Sequence, residues 1–382
     1  LWPSEYTEFS VRNSPWKDGK GDIVKEVSEA CHAEGLKFGV YLSPWDMHEK
    51  TYGTPEYDVF FKNQLTELCS NYGELFCVWF DGACRSKDKL QDYDWDGYYD
   101  IIRRLQPEAC ISICGPDVRW IGNEAGVSRE EEWSVVPRVI MTTERNPGYW
   151  RQIDKVPNST WMDIGSREFI QQYDELIWYP AEVDVSIRPS WGYMKGEAEK
   201  LHSLDTLINM YEKAVGGNAN LLLNVPPNTE GLFDEADVAR LMEMGNEIKR
   251  IFSKSQLANA SAADGKGRDA GAVLNKDRGQ FYEAASEELP AIEIHLTGEK
   301  EINLVTIKET IELGQHIEEF CLEIPAAGGF QEIYRAATVG YQRICRFPTV
   351  HTQVLRFRVL KARGKTSLTE IGIYYDDKHR NL

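Results

Sequence analysis

The stretch Glu74-Leu75-Phe76-Cys77-Val78-Trp79-Phe80-Asp81-Gly82-Ala83 decides how the fold is read. An unbroken apolar run from Leu75 to Phe80 ends abruptly at a carboxylate and a glycine. Such a short aliphatic and aromatic run predicts a strand of a parallel sheet, covered by helices. On its N-terminal side, residues 56–72 repeat apolar positions at helical spacing and stop ahead of Gly73. On the other side, residues 95–105 do the same ahead of Pro107, and Cys110-Ile111-Ser112-Ile113-Cys114 supplies the next apolar run. Helix, strand, helix, strand at this spacing reads as βα units wound on a parallel sheet.

The alternation extends in both directions. Residues 36–43, 183–187 and 220–225 are further strand candidates, and 22–30, 202–215 and 234–252 are helical. A barrel and a doubly wound sheet both fit. No GxGxxG or GxxxxGK[ST] follows a strand, which argues against a nucleotide-binding sheet. Past residue 252 the character changes. Residues 257–275 are rich in Ala, Gly, Ser, Asn and Asp, as at a junction. Runs at 291–296, 304–307, 318–324, 353–359 and 368–374 then alternate with a period of two, predicting an antiparallel β-sandwich. The expected boundary separates a catalytic α/β domain, 1–256, from a sandwich, 257–382.

Composition narrows the function. The chain has 382 residues, 42% of them apolar and 27% charged, which excludes a disordered or fibrous chain. With 43 Lys and Arg against 61 Asp and Glu, the net charge is −18. That sign repels phosphate backbones and anionic membrane surfaces, so a neutral substrate is expected and nucleic acid is not. No apolar stretch reaches membrane-spanning length. The 8 cysteines form no CxxC pair, and those at Cys77, Cys110 and Cys114 sit in apolar runs as small hydrophobes. The 7 histidines lack metal-ligand spacing and no GxSxG is present, so neither a metal, a cofactor nor a serine nucleophile is expected.

In a parallel barrel the reactive groups stand at the carboxyl ends of strands. Asp81 is so placed; it either caps the following helix or serves in chemistry, and Trp79 and Phe80 beside it suit a sugar ring. The loop after the Cys110 strand carries Arg119 and, between two glycines, Glu124. Two carboxylates on successive βα loops are the minimum equipment for glycosidic bond hydrolysis, although sequence leaves retaining and inverting mechanisms open. Tyr41, Trp45 and Asp46 make a plausible sugar subsite, and Arg188 and Trp191 suit the same mouth; capping and rim packing explain them equally well. The run Arg129-Glu130-Glu131-Glu132 reads as a solvated face.

Longer motifs add a resemblance. LWPSEYTEFSVRNSPW, GLKFGVYLSPWD, YGTPEYDVFFKNQLTELCSNYG, VWFDGA, CGPDVRWIGNEAG, AEVDVSIRPSW and LLLNVPPNTEGLF together resemble the α-L-fucosidases of glycoside hydrolase family twenty-nine. The similarity points to the subfamily acting on α-1,3/1,4-linked fucose in branched, Lewis-type glycans. It implies a (β/α)8-like barrel followed by a C-terminal discoidin-like β-sandwich. It implies Asp81 as the nucleophile of a retaining mechanism and Glu124 as the acid/base. Tyr41 and Arg119 are then fucose contacts and Trp191 a ring-packing residue, with Trp45, Asp46 and Glu182 meeting the rest of the glycan. The implied partners are fucosylated oligosaccharides or glycoconjugates, met in a periplasm or outside the cell. The family's first strands and a His-His pair precede LWPS, so the barrel is expected to be N-terminally incomplete. Another barrel glycosidase and a non-catalytic carbohydrate-binding protein are the competing readings.

Overall fold

The computed structural model describes residues 1–82, 89–146, 148–274, 279–285 and 288–378, so Ala83, Cys84 and His379 lie outside the described residues. In chain order the first elements are α1 (Ile23–Ala33), β1 (Gly39–Tyr41), α2 (Glu56–Asn71), β2 (Cys77–Phe80), α3 (Trp95–Leu105) and β3 (Cys110–Ile113). Next come β4 (Arg119–Trp120), β5 (Val135–Pro137), α4 (Arg138–Glu144), α5 (Arg167–Ile170), β6 (Leu176–Trp178), β7 (Ala181–Ser186), α6 (Leu204–Ala214), β8 (Ala219–Asn224) and α7 (Glu235–Ser253). The last are β9 (Ser261–Asp264), β10 (Tyr282–Glu283), β11 (Ala291–Glu309), β12 (Ile317–Ala326), β13 (Gly329–Ala336), β14 (Arg343–Ala362) and β15 (Ser367–Tyr374). No helix among the described residues is long and apolar enough to cross a membrane.

The chain forms two compact units: one holds Leu1–Gly122, Val136–Ile164 and Tyr173–Tyr179, the other Asn123–Val135, Gly165–Gln172 and Pro180–Leu382. In the first unit β1, β2 and β3 pair in parallel, with Tyr41 opposite Trp79 and Trp79 opposite Ser112. Val78 and Phe80 are buried, whereas Cys77 and Trp79 on the opposite face are half-buried. Alternation fixes this: Val78 and Phe80 join a core with Phe61, Leu65 and Leu68 of α2 and Tyr98 and Ile102 of α3. The other face is free to carry functional side chains. Helix α3 begins where Asp94 accepts the Gly97 N–H at 3.0 Å and ends ahead of Pro107.

In the second unit β7 and β8 pair in parallel, placing Glu182 opposite Asn220 and Ser186 opposite Asn224. Helices α6 and α7 supply Leu207, Ile208, Met244 and Ile251 to a core that also takes in Leu304, Ile344 and Tyr374 of the C-terminal strands. Those strands form one antiparallel sheet in the order β10-β15-β11-β14-β12-β13, with β9 also on β11. The runs 291–296 and 304–307, expected as two strands, are parts of β11. Its polar segment Thr297–Asn303 stays beside β14 through register shifts between His295 and Lys300 and between Ile302 and Leu304. The first half of β11 pairs with β9 and the second with β15.

The expectation for residues 129–132 needs correction. Arg129 and Glu132 form an ion pair of 2.9 Å with both side chains buried, and Glu130 and Glu131 are the exposed members of the run. The seven described cysteines are free thiols.

Glu309, at the end of β11, accepts the backbone N–H groups of His316 at 2.7 Å, Ile317 at 3.0 Å and Gly340 at 2.7 Å. Burial nevertheless dominates and pushes the carboxyl up from 4.5 to about 7, although these donors and the Arg363 charge pull it down. The folded state therefore holds this proton more tightly than the unfolded chain. The group's contribution to stability is full below about 4.5 and declines until pH passes about 7. The decline is on the order of 3 kcal/mol. Urea unfolding of the parent and Glu309→Gln at several pH values tests this. The parent's stability relative to the variant should fall as pH rises through that window, and a pH-independent difference would contradict the assignment.

Candidate active site

The first unit presents Asp81 just beyond the end of β2. Tyr41, at the end of β1, donates its hydroxyl to Asp81 Oδ2 at 2.7 Å. The rings of Tyr41 and Trp79 stack with centroids 5.1 Å apart and planes at 26°. Parallel register explains the trio: Tyr41 and Trp79 are opposed residues on one face, and the chain carries Asp81 on to the same side. Partial burial, then the hydrogen bond to Asp81 and its negative charge, push the Tyr41 phenol well above its usual range. More than half of Tyr41 is solvent-exposed, so the neighbouring carboxylate is the firmer of these causes. The phenol thus stays a protonated donor at neutral pH, beside a carboxylate at an open strand end.

Residues that sequence reasoning missed support this trio. Trp150 donates its indole N–H to the Gly82 carbonyl at 3.1 Å, fixing the backbone next to Asp81. The Trp150 ring meets Tyr149 at 4.3 Å and Trp120 edge-on at 6.4 Å. Nothing in the sequence pairs Trp150 with Gly82, because the contact is to a main-chain atom 68 positions away.

Other candidates in this unit have structural tasks. Asp46 Oδ1 accepts the backbone N–H groups of His48 at 2.7 Å and Glu49 at 2.9 Å, shaping its own loop. Trp45 is half-buried against the core of the unit. Arg119 is fully buried and donates Nε–H to the Tyr179 carbonyl at 2.9 Å, so its side chain is not presented at the surface. Six positions earlier, Ile113 has φ +71°, a left-handed conformation unusual for a β-branched residue. It closes β3 next to Cys114, whose thiol is pushed up first by burial and then by nearby Glu144 and Asp81.

The second unit presents Glu124 on an exposed loop. Trp191 donates its indole N–H to Glu124 Oε2 at 3.2 Å. Trp191 follows β7 on a loop whose Arg188 is buried rather than lining a mouth. Arg188 Nε bonds Asp237 Oδ1 at 3.0 Å, and Nη2 reaches Asp237 Oδ2 and Asp234 Oδ2, both at 2.7 Å. On β7, Glu182 is buried and accepts Asn220 Nδ2–H at 2.6 Å. The structure thus gathers Tyr41, Trp79 and Asp81 in one unit and Glu124 with Trp191 in the other.

Comparison with known proteins gives this equipment a context. A sequence profile of the alpha-L-fucosidase family matches residues 1–250. Alpha-L-fucosidase 1 of Arabidopsis thaliana is 36% identical over 390 residues, covering 98% of this chain and 73% of the plant protein. A Bacteroides ovatus structure, of proposed alpha-L-fucosidase activity, superposes with a TM-score of 0.88 at 40% identity. That match covers 100% of this chain but only 62% of the bacterial one. A Ruminococcus gnavus GH29 fucosidase in complex with fucose gives a TM-score of 0.85 at 29% identity, covering 99% and 80% of the two chains. On these similarities, the chain belongs to the alpha-L-fucosidase family of glycoside hydrolases.

Proposed function

We propose that this chain is a retaining α-L-fucosidase that removes α-1,3/1,4-linked fucose from branched, Lewis-type glycans. The observation that carries the reading is the carboxylate of Asp81 at a strand end, held by the Tyr41 hydroxyl at 2.7 Å beside the Trp79 ring. The fucose complex of the Ruminococcus gnavus relative supports fucose as the bound sugar. The proposed scaffold is a (β/α)8-like barrel over 1–256 followed by a discoidin-like β-sandwich over 257–382, working in a periplasm or outside the cell.

In the first step Asp81 attacks the anomeric carbon of fucose, and the bond to the leaving oxygen breaks as Glu124 gives that oxygen a proton. The result is a fucosyl ester on Asp81 and a free aglycone. In the second step Glu124 takes a proton from water, the water oxygen attacks the same carbon, and Asp81 leaves as a carboxylate. Two inversions give net retention. The Tyr41 hydroxyl orients the Asp81 carboxylate for attack. Trp79 offers an apolar face to the sugar, and Trp191 orients Glu124. Trp45, Asp46, Glu182 and Arg119 act in this proposal through the shape of the surrounding loops and strands.

The deciding experiment is incubation of this chain with an aryl α-L-fucoside and with a Lewis-type trisaccharide, following the first product by proton NMR. Release of the α-anomer of fucose first is the expected result, and the β-anomer first would overturn the retaining assignment. Glu124→Ala should lower kcat/KM on the trisaccharide by about 100-fold, and on an aryl fucoside with a good leaving group far less. Equal losses on both would remove Glu124 from the acid role.

A further inference from the structure

We propose that Asn224 is a positioning residue for Glu124, acting through Trp191; the inference rests on reading Glu124 as the acid/base. An exposed glutamate on a loop samples many rotamers, and holding one costs up to about 2 kcal/mol of conformational entropy. Catalysis nevertheless needs its carboxyl within a fraction of an ångström of the leaving oxygen. Its backbone is well held. Gly126 has φ +77°, and a Cβ there would meet Met210 Cγ at 2.7 Å. Asn123 Oδ1 accepts the Ala125 N–H at 2.9 Å.

The side chain is held from another strand. The indole N–H of Trp191 reaches Glu124 Oε2, but Trp191 is itself 41% exposed. What fixes it is its main chain. Asn224, the last residue of β8, donates Nδ2–H both to the Trp191 carbonyl at 2.9 Å and to Ser186 Oγ at 3.0 Å. Ser186 in turn donates to the Ser190 carbonyl at 2.9 Å and accepts the Arg188 N–H at 3.3 Å. One carboxamide thus clamps both ends of the Ser186–Trp191 loop. The arrangement follows from the parallel register that sets Ser186 opposite Asn224. A polar chain runs from the end of β8 through Trp191 to the Glu124 carboxylate, and Asn224 acts through it on a group that touches substrate.

The test has a readout that does not depend on turnover. In protein labelled with 15N-tryptophan, the Trp191 indole resonance is identified by its loss in Trp191→Phe. It should move upfield in Glu124→Ala, where the acceptor is gone, and move the same way or broaden in Asn224→Ala. Kinetically, Asn224→Ala and Trp191→Phe should each lower kcat on the trisaccharide by about tenfold and leave KM within about threefold. The aryl fucoside should be much less affected, and the double variant should lose little more than either single one. Trp191→Phe changes an exposed ring, so it keeps the kinetic arm available if Asn224→Ala does not fold. An indole resonance indifferent to Asn224→Ala, or equal losses on both substrates in these variants, overturns the inference. If Glu124→Ala itself shows equal losses, the acid/base reading falls, and the positioning role falls with it. A leaving-group-selective Glu124→Ala with a silent Asn224→Ala removes only the positioning role.

Discussion

Asp81→Gly should lower kcat/KM on an aryl α-L-fucoside by at least about ten-thousandfold, equivalent to about 5 kcal/mol of lost transition-state stabilisation. The covalent route needs an anion poised to attack the anomeric carbon, and glycine removes it without filling the space. Molar azide should then restore part of the turnover. The small anion enters the volume left by the carboxylate and attacks the same face, so a β-fucosyl azide accumulates in place of free fucose. The Tyr41 hydroxyl, which bonds Asp81 Oδ2 at 2.7 Å, remains available as a donor to that anion. The measurement is initial rate against azide concentration, with the product identified by NMR. A folded variant that keeps rates within tenfold of the parent, or that forms no azide adduct, would remove Asp81 from the nucleophile role.

The largest effect on stability is expected at the base of the Trp191 loop. Arg188 and Asp237 are completely buried as a pair, and Asp234 is the partly exposed third member. The Asp237 hydrogen bonds are the leading cause holding the Arg188 guanidinium charged, against the cost of burial. Removing one partner of such a pair strands the other charge in a low-dielectric site and typically costs 3–5 kcal/mol, well above the worth of an exposed ion pair. Asp234 keeps one bond to Arg188, so Asp237→Ala should cost about 3 kcal/mol, the lower end of that range. Urea denaturation measures it as a drop in midpoint at unchanged slope. Replacing both partners together, Arg188→Met with Asp237→Leu, should recover much of the loss, because no unpaired charge is left. A loss below about 1 kcal/mol in Asp237→Ala would mean that solvent reaches the guanidinium.

The parallel strands were legible because their apolar runs are dense and are bounded by Gly, Ser, Asp, Arg or Pro. Helices α1, α2, α3, α6 and α7 were legible from their spacing and stops. Strand β13 was not. Its sequence GFQEIYRA is mostly half-buried or exposed in the sheet, as befits an outer strand, so no apolar alternation marks it. The first half of β14 and the polar middle of β11 were missed for a related reason. Main-chain pairing with a long neighbour holds them in the ladder, while periodicity reports only side-chain burial. Asp81 stood out because a strand end exposes its residue type. Arg188 was expected at the mouth and is buried, and the burial of Arg119 was not legible either, since a sequence does not reveal that a buried carbonyl or a buried aspartate will be waiting for a guanidinium. The side-chain contacts of Trp150 and Asn224 gave no signal, because their partners include carbonyls that every residue possesses.

The shared core of α6, α7 and the C-terminal strands bears on heredity as well as stability. Leu304, Ile344 and Tyr374 pack with Leu207, Ile208 and Ile251 in one apolar cluster. A recombination event that exchanged the last third of the gene would deliver new side chains against an old helical surface. Only coordinated change on both sides would keep that surface dry. The C-terminal strands are accordingly bound to descend with the helices they cover, and the two segments should accumulate substitutions as a pair rather than as interchangeable cassettes.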